Sequence, residues 1–143
     1  MALDVPPTVQ QSAAIPWRVV EGRVLVLLIT SARSGRWGIP KGHLEPFLAA
    51  HESAAAEAFE EAGVVGATAA EAVGTYRYQK RGVDFSVAVF PLEVREELPR
   101  WPDMEKRERR WFSLERAAER VEIPELARMI RRLPLLVHPT TTP

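Results

Sequence analysis

Three carboxylates, Glu57, Glu60 and Glu61, stand just before Gly63 in a stretch from Gly42 to Val64 that reads GHLEPFLAAHESAAAEAFEEAGV. On a helix advancing by ~100° per residue they project from one side. Ala55, Ala58, Phe59 and Ala62 follow the i, i+3, i+4, i+7 rule and fall on the other side. Like charges at i, i+4, as at Glu57 and Glu61, destabilise an isolated helix by roughly 0.2–0.5 kcal/mol per pair. No Lys or Arg occurs between Lys41 and Arg77 to neutralise them. A hard divalent cation held by carboxylate oxygens offsets that repulsion.

Glutamates on a helix are most often a solvated face. The loop before this helix argues for more. Trp37-Gly38-Ile39-Pro40-Lys41-Gly42 is punctuated by Gly and Pro and carries a Lys. Glycine lets the backbone approach a ligand closely, and a Lys beside exposed amides suits phosphate. Loop and helix make chemical sense as one unit: the loop holds an anionic substrate, the helix holds cations, and the cations bridge the two.

These residues resemble the Nudix box, G-x5-E-x7-R-E-U-x-E-E-x-G-U with U aliphatic. Gly42, Glu57, Glu60, Glu61, Gly63 and Val64 match at the right offsets, with Ala58 as a small first U. Two positions depart: Leu48 replaces the first Glu and Ala56 replaces the Arg. WGIPKGHLEP and AFEEAG are similar in wording to Nudix hydrolases of dinucleoside polyphosphates and diphosphoinositol polyphosphates, as is Lys106-Arg107-Glu108-Arg109-Arg110-Trp111-Phe112. The resemblance runs from about Gln11 to Leu133. It implies an α/β fold, the Nudix-type α/β/α sandwich with a central mixed β-sheet. It implies Mg²⁺-dependent cleavage of a phosphoanhydride, with Mn²⁺ as a substitute metal. Glu57, Glu60 and Glu61 are the implied metal ligands, joined by the backbone carbonyl of Lys41. They are also the implied catalytic groups, with Glu57 the expected base. In the family the box Arg orients the glutamates through a salt bridge. Its absence at Ala56 implies slower catalysis, another Arg filling in, or a fold that binds a phosphorylated metabolite without turning it over.

The other candidates are basic. Lys41, Gly42 and His43 belong to the loop. Arg77, Lys80 and Arg81 cluster at a hairpin and suit distal phosphates. Arg107 and Arg109 share one face if they lie on a strand, and that face is expected to meet substrate. Glu105 and Glu108 are candidates for an additional loop carboxylate, and Glu45 or Glu52 for the missing box acid. Trp37 and Tyr78 suit either a stacked base or the core. His51 falls on the apolar side of the helix and reads as structural, and His138 as inert.

A chain of 143 residues makes one ordinary domain with a real core. A formal net charge of zero argues against a general nucleic-acid binder. There is no Cys, so thiolate chemistry is excluded. The longest apolar run, Val24 to Ile29, is too short to span a membrane. No basic segment followed by an apolar one opens the chain, so the cytoplasm is the expected compartment. The expected partner is a small phosphorylated substrate, with neither nucleic acid nor membrane, bound by a monomer or homodimer.

In order, residues 1–12 read as a flexible arm, 13–133 as the domain and 134–143 as a tail. Strands are expected at Ala13–Glu21, Arg23–Ser31 and Trp37–Ile39. The box helix is expected at Leu48–Ala62, stopped by Gly63. Val64–Ala72 reads as a connection with some β character. Val73–Gln79 and Val83–Val94 read as a hairpin, and Arg107–Phe112 as the last strand. Ser113 is a plausible N-cap and Pro124 a helix opener, with Leu126, Met129, Ile130 and Leu133 as the last helix's buried face.

Overall fold

The computed structural model describes residues 7–137. Eight strands form one sheet: β1 (Val9–Val20), β2 (Arg23–Thr30), β3 (Trp37–Gly38), β4 (Lys41–His43), β5 (Val64–Thr68), β6 (Gly74–Lys80), β7 (Val83–Glu97) and β8 (Arg109–Ser113). The central path runs β3-β2-β1-β7-β5, with β4 on β1, β6 on β7 and β8 on β2. β1 and β7 are parallel over Val9 to Trp17, while the other pairings are antiparallel. The sheet is therefore mixed, as the resemblance implies.

Helices cover both faces. α1 (Ala50–Glu57) continues into a π-helical segment, Ala58–Ala62. It packs with Ala14, Leu27, Ile29, Phe90 and Leu92 in one core. α2 (Leu114–Arg120), α3 (Pro124–Arg131) and α4 (Leu133–Leu136) cover the other, against Ile15, Trp17, Val26, Leu28, Tyr76 and Val89. A fully buried aliphatic side chain contributes about 1.5–3 kcal/mol; Ile15, Leu27, Leu28, Leu92 and Ile130 lie in that class. Residues of β1 and β2 are apolar on both faces because both faces are covered. Ser113 Oγ accepts from Arg116 N and caps α2, and Pro124 opens α3. Leu126, Met129, Ile130 and Leu133 are buried as expected.

Several boundaries move. β1 begins at Val9, so the expected arm loses its last four residues to parallel pairing with β7. Residues 1–6 lie outside the described ones, as do 138–143 with His138. Within the connection the β character is realised at Val64–Thr68, which forms a full strand. β4 and α4 were not anticipated. Arg107 precedes β8 instead of opening it. The apolar stripe also shifts: Ala54, Ala58 and Ala62 are fully buried, whereas Phe59 is 44% exposed. The π-helical winding after Glu57 changes the phase on which a 3.6-residue stripe depends. Among the described residues no helix is long and apolar enough to cross a membrane.

Candidate functional site

β4 places Gly42 beside the C-terminal half of the box helix. It pairs antiparallel with β1, setting Ser12 opposite Gly42 and Ala13 opposite Lys41. A Cβ at Gly42 would overlap the Glu57 carboxylate. The box glycine is thus a space requirement, filled by the carboxyl of a residue one helix away. Next to it, the Lys41 N–H donates to Glu61 Oε1 at 3.1 Å. Glu57 and Glu61 share a hydrogen bond, with Glu60 and Glu45 within electrostatic range of Glu57.

This crowding changes the acidities. Burial first, then the charges of Glu61 and Glu60, push the Glu57 carboxyl up to about 7. Burial also raises Glu61, opposed by the Arg107 guanidinium and the Lys41 amide. Two adjacent carboxylates that resist ionising together need a cation to hold both charges. Among the described residues no group of three His, Cys, Asp or Glu side chains is placed to hold a metal ion by itself. Mg²⁺ does not require one, since it takes one or two carboxylates and fills its octahedron with water and substrate phosphate. The oxygen-only pair of Glu57 and Glu61, which share a hydrogen bond, fits that ion, with Glu60 exposed one residue before Glu61.

Lys41 has a defined seat. Its Nζ lies 3.2 Å from Tyr78 Oη and 4.9 Å above the Tyr78 ring. Tyr78 donates to Gln11 Oε1 at 2.7 Å and stacks on Phe85 at 4.7 Å. That stacking already occupies Tyr78. A cleft of about 420 Å³ opens beside Lys41 and Glu61. Arg33, Arg36, Lys80 and Arg107 line it with Lys41, facing an apolar wall that includes Trp37, Ile123 and Leu126.

The helix end is held from across the sheet. Trp101 Nε1 donates to the Glu61 carbonyl at 3.1 Å, and Asp103 N to that of Glu60 at 3.0 Å. Arg109 donates to the carbonyls of Ala62 at 3.0 Å, Gly63 at 3.3 Å and Leu98 at 2.6 Å. Its guanidinium lies 3.8 Å over the Trp101 ring. Gly63 takes φ +67°, the left-handed turn that ends a helix, and a Cβ there would meet Trp101 and Arg109. The carbonyls orphaned at a helix C-terminus are satisfied here by one loop and one strand.

A family model described as NUDIX domain matches residues 9–133. The chain belongs to the Nudix family. It is 38% identical over 103 residues to Nudix hydrolase 4 of Arabidopsis thaliana, covering 70% of this chain and 49% of the relative. It is 35% identical over 120 residues to diphosphoinositol polyphosphate phosphohydrolase 2 of Rattus norvegicus, covering 80% and 65%. The match thus spans about half to two thirds of these relatives' lengths. In solved structures, the Ap4A hydrolase binary complex of C. elegans superposes with a TM-score of 0.75 at 21% identity, over 90% of this chain and 97% of that one. That likeness concerns the fold.

Against this Nudix frame some expected site residues gather and others do not. Glu57, Glu61, Lys41 and Gly42 come together, while Glu60 is exposed and acts on Glu57 only through its charge. Glu61 and Lys41 reach the cleft, while Glu57 lies behind them against Gly42. His43 is exposed at the end of β4 and does not line the cleft. Arg77 points away: Tyr76 is buried, Tyr78 half-buried, and Arg77 lies between them on the opposite face of β6. Arg81 sits in the hairpin turn at φ +52° and is not in the cleft wall. Arg109 is spent on helix carbonyls, so its expected place on substrate is corrected to a structural one. Arg107 faces Glu61 rather than sharing a strand face with Arg109. Glu52 Oε1 accepts from Ala49 N at 2.8 Å and caps α1, so it does not replace the missing box acid. His51 bonds Thr68 Oγ1 at 3.2 Å, in keeping with a structural role.

Sequence reasoning missed Arg33, Arg36, Trp101 and Asp103. The parity of β6 could have separated Lys80 from Arg77, since Lys80 alternates in phase with Tyr76 and Tyr78. No local signal marks Asp103.

Proposed function

We propose that this Nudix domain hydrolyses a phosphoanhydride in a small polyphosphorylated metabolite, either a dinucleoside polyphosphate or a diphosphoinositol polyphosphate. The observation that carries this reading is the Glu57–Glu61 carboxyl pair, packed on Gly42 and Lys41, of which Glu61 lines a cleft that also carries five cationic side chains and Glu122, while Glu57 lies just behind it. Glu57, Glu60 and Glu61, with the Lys41 carbonyl, are the residues that would hold Mg²⁺ or Mn²⁺. When bound, such an ion neutralises phosphate charge and lowers the pKa of a coordinated water.

The chain's own groups supply the rest. Glu57, whose carboxyl titrates near neutrality, takes the proton of the attacking water. The water oxygen bonds to phosphorus, the bridging P–O bond breaks, and the leaving phosphate departs with its oxygen. Lys41, held by Tyr78, faces negative charge on the phosphates. Arg33 and Lys80 suit phosphates farther along the substrate, whereas Arg36 is paired at 3.2 Å with Glu122, which also lines the cleft. Trp37, half-buried in the cleft lining, suits stacking on a base, which favours the dinucleoside class; the cationic lining of the cleft suits a phosphorylated ring equally in charge.

The test is a substrate panel with Mg²⁺, products resolved by mass, for wild type and Glu57→Gln. Hydrolysis by wild type and its loss in the variant support the reading. No product from any substrate, with Glu57→Gln indistinguishable, would sink it. Ligand-induced protection against melting without turnover would instead favour the binding-module alternative suggested by Leu48 and Ala56.

A further inference from the structure

The box helix carries no cation of its own: no Lys or Arg lies between Lys41 and Arg77. Ala56 is exposed and offers no donor. Yet Glu61 is held on both oxygens. Lys41 N–H binds Oε1 at 3.1 Å, and Arg107 Nη2 binds Oε2 at 3.3 Å. Arg107 is itself anchored twice more, by Nε to Asp103 Oδ2 at 3.0 Å and by Nη1 to the Thr30 carbonyl at 3.3 Å. The Arg107, Glu61 and Asp103 side chains are 19%, 12% and 15% exposed, so the network is largely shielded from solvent. A planar guanidinium fixed at three nitrogens cannot pivot without breaking several bonds. The loop that carries it is registered on the same helix end by the Asp103 N–H to the Glu60 carbonyl.

We infer that Arg107 is the positioning residue for Glu61, with Asp103 as its anchor, so that the β7–β8 loop sets the geometry of the cation site from outside the helix. The inference rests on the reading that Glu61 helps to hold a cation. Each Glu61 oxygen keeps a lone pair free for that cation while accepting its fixed hydrogen bond. Arg107 acts through Glu61 and does not need to touch the reacting atoms.

The sign of the metal response separates this from other roles. A cation that acted only by its charge would repel Mg²⁺, and its removal would tighten the site. A substrate contact would leave Mg²⁺ binding unchanged and raise KM. Positioning predicts weaker Mg²⁺ binding with KM nearly constant. The measurement is the Mg²⁺ concentration giving half of the maximal rise in melting temperature, on the full chain without substrate, beside kcat and KM. Arg107→Ala is expected to need about 10-fold more Mg²⁺ and to lose kcat by about 10- to 100-fold, the range typical of groups that orient metal ligands. Asp103→Asn, which keeps Arg107 but frees it, is expected to move both readouts in the same direction by less; it decides the matter if Arg107→Ala does not fold. Unchanged or tighter Mg²⁺ binding in these variants, while Glu57→Gln abolishes the Mg²⁺ response, overturns the inference and leaves the functional reading intact. An Mg²⁺ response that survives Glu57→Gln undiminished sinks the functional reading itself.

Discussion

The Glu57 carboxylate occupies the space where a side chain at Gly42 would begin. The contact joins the two ends of the box: a glycine on a three-residue strand and an acid at the end of α1. Gly42 lacks the positive φ found at Gly63, so its backbone would accept alanine. Gly42→Ala is therefore expected to fold with a melting temperature close to wild type. The added methyl instead displaces the flexible carboxyl, and a displacement near 1 Å at a reacting group costs on the order of 10²-fold in rate. An activity assay beside a thermal melt checks this. Full activity in Gly42→Ala would remove Glu57 from the chemistry.

The acidity of Glu57 sets a pH dependence for the metal-free protein. Its carboxyl is raised from 4.5 to about 7 in the fold, so the folded state holds that proton more tightly than the unfolded chain. The resulting stability is fully present below the unfolded value near 4.5 and is lost as pH rises through about 7. Melting curves without metal should show this share of the stability declining across that window, and Glu57→Gln should flatten it. Mg²⁺ competes with the proton for the same oxygens, so it should raise the melting temperature more at pH 8 than at pH 5.5. An equal Mg²⁺ effect at both values would argue against Glu57 as a ligand.

Arg109 separates a structural arginine from a substrate-binding one. It donates to three backbone carbonyls and lies over Trp101. Hydrogen bonds to a charged group contribute about 1.5–3 kcal/mol. Arg109→Ala is expected to lose stability of that order in urea unfolding, with KM unchanged. A raised KM without loss of stability would return Arg109 to the substrate face.

What could be read from the chain alone was local. Gly42, Glu57, Glu60, Glu61 and Gly63 sit at fixed offsets within one loop and one helix, so their common role follows from spacing. The caps Ser113 and Pro124 are legible for the same reason. β4 is not, because three residues form a strand only where β1, about 30 positions earlier, supplies the partner. Simple alternation puts Arg107 on a strand with Arg109, but β8 begins only at Arg109. The actual partner of Arg107, Glu61, lies 46 residues away, and only the closed fold brings the two together. A 3.6-residue period puts Phe59 in the apolar stripe, whereas the π-helical segment leaves it 44% exposed.

The parity of β6 makes the last prediction. Lys80 lines the cleft, whereas Arg77 lies on the other face of the same strand. Both are basic and close in sequence, so a general electrostatic attraction for polyanions would treat them alike. A directed contact would not. Lys80→Ala is expected to raise KM several-fold, and more for substrates with a longer phosphate chain, which present more negative charge to the cleft wall that Lys80 lines. The effect should shrink as salt rises, because exposed charge pairs are screened over about 8 Å at physiological ionic strength. Arg77→Ala should leave KM within about 2-fold, the change that screening allows for a charge outside the cleft. Equal effects of the two substitutions at low and high salt would mean that long-range charge, rather than the cleft, selects the substrate.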